Sequence, residues 1–151
     1  GLAANHRWGW PVKPADFLPL RGRILLIDEI IEVRRGYAKT RVRVEADRPF
    51  FDPDHGWPSW VLIELIAQSV GIVGGYDAKV AGDPDPKGFL LGTRRFRAGQ
   101  SWIPAGITLE IEVTEAYLDP GGMAAYDGRL LNHDIEADCR VNLYRQMPEN
   151  T

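Results

Sequence analysis

The sequence predicts an α+β domain in which an antiparallel sheet wraps one long apolar helix. Three observations predict it. From Trp60 to Gly75 the only strongly polar side chains are Glu64 and Gln68, the pattern of a helix buried on most of its sides. Segments rich in β-branched residues, several of them alternating apolar with polar, stand on either side of that stretch, and such alternation marks strands with one face buried. Two extended segments, a helix and then four extended segments give no βαβ alternation, which argues against a parallel sheet.

The elements follow in order. Residues 1–20 carry Trp8, Trp10, Pro11, Pro14 and Pro19 and read as an arm packed on the body, with a short helix from Pro14 to Leu18. Arg23 to Val33 and Tyr37 to Glu45 form two strands about a turn at Arg35-Gly36. Arg48 to Ser59 is a loop broken by Pro49, Pro53, Gly56 and Pro58. Ser59 is positioned to cap the helix, which runs to about Val80 and stops at Gly82-Asp83-Pro84. Gly71, Gly74 and Gly75 each weaken that helix by roughly 1 kcal/mol relative to alanine, so tertiary packing must compensate, and other backbone is expected to approach there. Four more strands are expected: Phe89 to Arg97, Ile107 to Tyr117, Met123 to Leu131 and Ile135 to Arg145.

Composition bounds the function. The 151 residues make one domain, 44% apolar and 26% charged with a net charge of −3; without a basic field there is no reason to expect a nucleic-acid partner. Cys139 is the single cysteine, so no intrachain disulfide or cysteine zinc cluster forms. The apolar stretch is shorter than the ~20 residues a membrane span needs and holds an acid in its first half, so it is read as a core helix. The start of the chain has no secretory signal pattern, and the cytoplasm is the expected compartment.

Glu64 and Gln68, four residues apart, share a helix face. Apolar surroundings strip water from a carboxyl and favour its protonated form, the state a general acid needs; the plainer alternative is an acid paired with an arginine. His55, in the loop before the helix, is the candidate proton acceptor, or else an exposed surface histidine; His6 and His133 have weaker claims. The Pro58-Ser59-Trp60 entry offers helix-end N–H groups for developing negative charge. Arg94, Arg95 and Arg97, with Arg21 and Arg23, form either a basic patch or a solvated strand face.

Three segments in order resemble the 3-hydroxyacyl-[acyl-carrier-protein] dehydratases of the hotdog fold: L-P-L-R-G-R-I-L-L-I-D from Leu18 to Asp28, P-S-W-V-L-I-E-L-I-A-Q from Pro58 to Gln68, and G-F-L-L-G-T-R-R-F-R from Gly88 to Arg97. The P-F-F-D loop and the W-V-L-I-E helix are most similar to the divergent dehydratase-like proteins of aryl-polyene and pigment biosynthesis. The resemblance implies a hotdog dimer, homomeric or with a related subunit, with active sites at the interface and an acyl chain delivered by an acidic carrier protein. It implies no metal or organic cofactor. It places Glu64 as the acid and Gln68 as the residue holding it. It gives Ser59 the N–H facing the thioester carbonyl, Trp60, Phe89, Leu91 and Gly92 the substrate surface, and Arg94, Arg95 and Arg97 the carrier-protein patch. The family's G-H-F-P motif is absent. His55 stands nine positions before Glu64, and strict counting would put the base at Phe50. A degenerate subunit paired with an active one, and an acyl thioesterase, are the alternatives.

Overall fold

The computed structural model describes residues 12–83 and 88–146; His6, Trp8 and Trp10 lie outside them. Eight strands and one long helix follow one another as β1 (Glu29–Arg34), β2 (Tyr37–Arg43), β3 (Trp57–Pro58), α1 (Val61–Ala81), β4 (Gly88–Ala98), β5 (Trp102–Ile103), β6 (Thr108–Leu118), β7 (Met123–Leu130) and β8 (Ala137–Arg145). Six strands make one sheet in the order β1-β2-β6-β7-β8-β4, every pair antiparallel. The helix lies against its inner face, as a hotdog fold requires.

The alternation read in the sequence sets which side chains meet the helix. On β2, Ala38, Thr40 and Val42 are buried, as are Leu109, Ile111 and Val113 on β6. From α1, Val61, Leu62, Leu65, Ile66, Ile72 and Val73 fill the same core. Helix and sheet come close at Gly128, where an added Cβ would run into Ile66. Two buried hydroxyls of this core pair with each other, Thr40 Oγ1 and Ser69 Oγ at 2.8 Å, and Ser69 also donates to Leu65 O. By length and hydropathy α1 could cross a membrane; here one side of it is packed into the sheet.

Three boundaries differ from expectation. The first strand begins at Glu29, not Arg23, and Gly22–Ile24 is a 3-10 turn. The reason is that Gln68 takes the local backbone groups, accepting from Leu26 N–H at 2.9 Å and donating to Ile24 O at 2.8 Å. The helix N-cap is Trp60, because the Ser59 N–H is drawn to Ser101 O at 2.9 Å. The short N-terminal helix is a 3-10 turn over Pro14–Asp16. The C-terminal stop is as expected, with Gly82 left-handed at φ 74°, the conformation glycine adopts most readily. Of the three helix glycines Gly75 admits backbone, where a Cβ would collide with Phe17 O, whereas a Cβ at Gly71 would meet the Leu18 side chain and one at Gly74 the Arg145 side chain.

The outer face of the sheet is a ladder of cross-strand ion pairs, including Arg41–Glu110 at 3.0 Å, Arg129–Glu112 and Arg140–Asp127 at 2.9 Å each, and Arg97–Asp138 at 3.1 Å. Such exposed pairs contribute about 0–1 kcal/mol each. Cys139 is buried on β8, and burial, with Asp138 and Asp127 adding to it, pushes its thiol up to about 11. Little thiolate forms near neutrality, so a chromogenic disulfide reagent at mildly alkaline pH is expected to leave the folded protein unlabelled and to titrate one thiol after denaturation. Rapid labelling of the native protein would contradict this burial.

Candidate active site

Glu64 sits in the first turn of α1, one turn before Gln68. Buried to 4% exposure, Gln68 ties helix and opening segment together through Leu26 and Ile24. Its Nε2 also donates to Glu64 Oε1 at 3.1 Å. The carboxyl therefore has a fixed bearing. The apolar surroundings expected for it are not supplied by this chain, however: Glu64 is exposed on the open stripe of the helix, because the sheet covers only the opposite side. No arginine is paired with it among the described residues.

Further along that stripe, Ala67, Gly71, Gly74 and Ala78 line a cavity of about 530 Å³, closed on other sides by Leu18, Leu90 and Leu143. That size accommodates a small organic ligand. Ala67 is one turn past Glu64, so the carboxyl stands at the end of the helix stripe that forms the cavity floor.

His55 belongs to a more ordered segment than the expected loop. Asp52 and Gly56 exchange two backbone hydrogen bonds of 2.8 Å, Trp57 is fully buried with its indole N–H on Pro49 O at 2.8 Å, and β3 pairs with β5. Arg48 fastens the start of the segment, donating to Asp28 Oδ1 at 2.7 Å and to Leu26 O at 3.0 Å. The imidazole stacks on Trp102, ring centroids 4.7 Å apart, with Nδ1 3.1 Å from Asp52 Oδ1. Asp52 also accepts from Asp54 N–H, and this bond first, with His55 second, holds its carboxyl below the usual range. An ionised carboxylate only accepts, so Nδ1 carries a proton, and in the neutral imidazole Nε2 is then the nitrogen with a free lone pair. That is the form a base needs. Asp52 has a sequence signal of its own, the acid three residues before the histidine in D-P-D-H.

Gly56 makes the turn possible. Its φ is 97°, and a Cβ there would collide with Ile103 O. Replacing Gly56 with alanine is expected to cost at least about 3 kcal/mol, read as a drop in the denaturation midpoint; a change under about 1 kcal/mol would show that the β3–β5 contact yields freely.

The other expected site residues divide. Phe50, at the position counted for the base, has φ 68° and packs its ring on Trp60 at 5.1 Å. Trp60 itself is half exposed, beside Glu64. The N–H of Ser59 is already donated to Ser101 O, so it does not face a ligand. Leu62 N–H and Ile63 N–H close the first turn, and the Trp60 and Val61 N–H groups ahead of them have no hydrogen bond among the described residues. Leu91 and Gly92 lie at a bulge in β4 with Leu90 and Leu91 exposed; Phe89 pairs with Tyr144 in that strand. Arg94, Arg95 and Arg97 are exposed on the edge strand, but the Arg97 charge is taken by Asp138, which reduces the expected basic patch to Arg94 and Arg95.

A family sequence model described as ApeP dehydratase matches residues 12–151. The chain belongs to the ApeP-like dehydratase family. Among solved structures, this ApeP-like chain is similar to the dehydratase heterocomplex ApeI:P from Xenorhabdus doucetiae, with 25% identity over 90% of this chain and 92% of that one and a TM-score of 0.80. It shares its fold with a hypothetical thioesterase with coenzyme A from Streptococcus pneumoniae, at 13% identity, coverage of 81% and 88% and a TM-score of 0.61. The PaaI protein of E. coli, from the phenylacetic acid degradation operon, shares it too, at 15% identity, 82% of each chain and a TM-score of 0.60. No curated protein matches the sequence of this ApeP-like chain.

Proposed function

We propose that the chain removes water from a 3-hydroxyacyl thioester on an acyl carrier protein, giving the 2-enoyl thioester in cytoplasmic polyene-type or fatty-acid synthesis. The observation that carries this reading is the Gln68-held carboxyl of Glu64, one helical turn before Ala67, which lines the groove along α1. His55 Nε2 takes a proton from the carbon next to the thioester carbonyl. The electron pair left behind forms the new C=C bond, the C–O bond at carbon 3 breaks, and Glu64 gives its proton to the departing hydroxyl, so water leaves. The Trp60 and Val61 N–H groups meet the carbonyl oxygen as negative charge develops on it.

An acid this exposed needs a second subunit to exclude water from the reaction. The large apolar side chains Phe50, Trp60, Leu90 and Leu91 are about half exposed in the single chain, surface that a second subunit would cover. The two-subunit character of the ApeI:P relative supports a related hotdog subunit as the cover. The missing G-H-F-P favours a second reading, in which this chain serves chiefly as the partner of an active dehydratase.

The test is purified chain, alone and mixed with a related hotdog subunit, given a 3-hydroxyacyl carrier protein. Formation of 2-enoyl product supports dehydration; robust turnover by this chain alone excludes the partner-only reading. Release of free carrier thiol in place of enoyl product would identify a thioesterase and overturn the proposal.

A further inference from the structure

His55 is fixed at its backbone and at one ring nitrogen. Its N–H donates to Asp52 O at 3.2 Å and to Asp52 Oδ1 at 3.1 Å, and Nδ1 donates to the same carboxylate oxygen at 3.1 Å. These bonds hold one corner of the ring and leave its plane free. The outer torsion of a histidine is broad, and the side chain, 55% exposed, is too wet for packing to fix it. A second element supplies the missing restraint. The Trp102 indole on β5 stacks on the imidazole with centroids 4.7 Å apart and planes 26° from parallel, inside the range of about 4.5–7 Å for offset aromatic pairs. Trp102 is anchored although it is 37% exposed. Its backbone pairs with Pro58, its carbonyl accepts from Gln100 Nε2 at 2.7 Å, and Ile103 beside it is fully buried opposite Trp57. Ser101 O, one residue before it, accepts the Ser59 N–H at 2.9 Å. The strand that carries the indole is therefore bonded to the entry of α1, the helix that carries Glu64.

We infer that Trp102 is a positioning residue for the dehydration: its indole face sets the plane of the His55 imidazole. Asp52 then chooses the nitrogen that keeps the lone pair, and Trp102 chooses the direction in which it points. The inference rests on the reading of His55 as the base. Two observations argue for orientation over a merely structural contact. Both rings are substantially exposed, so their stack removes little apolar surface from water and adds little to the core. Asp52 already satisfies Nδ1, so the stack is not needed to pair a polar group. Charge adds a second effect. Once His55 has taken the proton it is a cation over the electron-rich face of the indole, within about 6 Å of its centre, and the contact strengthens. Platform and base therefore match best as the proton moves.

Indole fluorescence tests the stack without any substrate. A protonated imidazole held against an indole accepts an electron from its excited state and quenches its emission. The emission of the full-length protein minus that of Trp102→Phe isolates the Trp102 component. That component is expected to fall as the pH is lowered from about 8 to 5, the interval in which histidines usually gain their charge. It is expected to stay level when His55→Gln is introduced into both proteins. A level component with His55 intact overturns the platform, whatever turnover does. Turnover of a 3-hydroxyacyl carrier protein is the second arm. Trp102→Leu is expected to lower kcat about tenfold to a hundredfold, the scale of a small misplacement of a reacting group, with KM within about twofold. Its unfolding midpoint is expected to stay in place, and Trp102→Phe, which keeps an aromatic face, to recover most of the lost turnover. A Trp102→Leu kcat within about threefold of the parent, or a loss confined to KM, overturns the positioning role. The two proposals fail separately. A parent that turns over nothing but whose component responds refutes dehydration and not the platform; an active dehydratase with a level component refutes the platform alone.

Discussion

Replacing Glu64 with glutamine is expected to lower turnover by at least about 10³, within the range for loss of a general acid, without changing the unfolding midpoint. The two halves of that expectation have separate grounds. The amide oxygen of the new side chain still accepts from Gln68 Nε2, which is the hydrogen bond Glu64 makes in the native chain, and the site is exposed, so the fold loses nothing. What is lost is a proton to give. Product analysis of the purified variant, with circular dichroism as the folding control, decides it; turnover within threefold or so of the parent would remove Glu64 from the mechanism. If the midpoint falls as well, the stabilising role of the carboxyl is larger than a single surface hydrogen bond allows.

Loss of the imidazole in His55→Ala is expected to cost about 10²–10⁴ in turnover, again with the fold intact, since the ring is more than half exposed. Its neighbour makes the test sharper. Asp52→Asn leaves the histidine in place but replaces an acceptor-only group with one that can also donate, so the tautomer with a free Nε2 is no longer enforced. That variant is expected to lose a smaller factor, about tenfold to a hundredfold. A fully active His55→Ala protein would assign the base to another residue, or to the partner subunit.

Much of this arrangement is legible in the sequence because it is local. The i,i+4 spacing of Glu64 and Gln68 foretells a shared face, and alternation on Tyr37–Arg43 and Thr108–Leu118 foretells which side chains face the helix. Where the first strand begins depends on a hydrogen bond spanning 42 residues, from Leu26 N–H to Gln68 Oε1, and no local pattern carries it. The β3–β5 pairing escaped notice because each strand is two residues long and one contains a proline. The exposure of Glu64 has a different cause: a run apolar on nearly every side suggests burial all round, yet a sheet covers only one side of a helix.

The glycines of α1 have a further consequence. Phe17 and Leu18, which form a wall of the groove, rest directly on Gly75 and Gly71, three and two turns beyond the acid respectively. A methyl group added at either position would push that wall outward and change the bore of the groove without altering the acid or its glutamine support. Calibre and chemistry are thus encoded by different letters of one helix, and a lineage could retune the length or girth of what it accepts by single substitutions that leave the reacting end as it was.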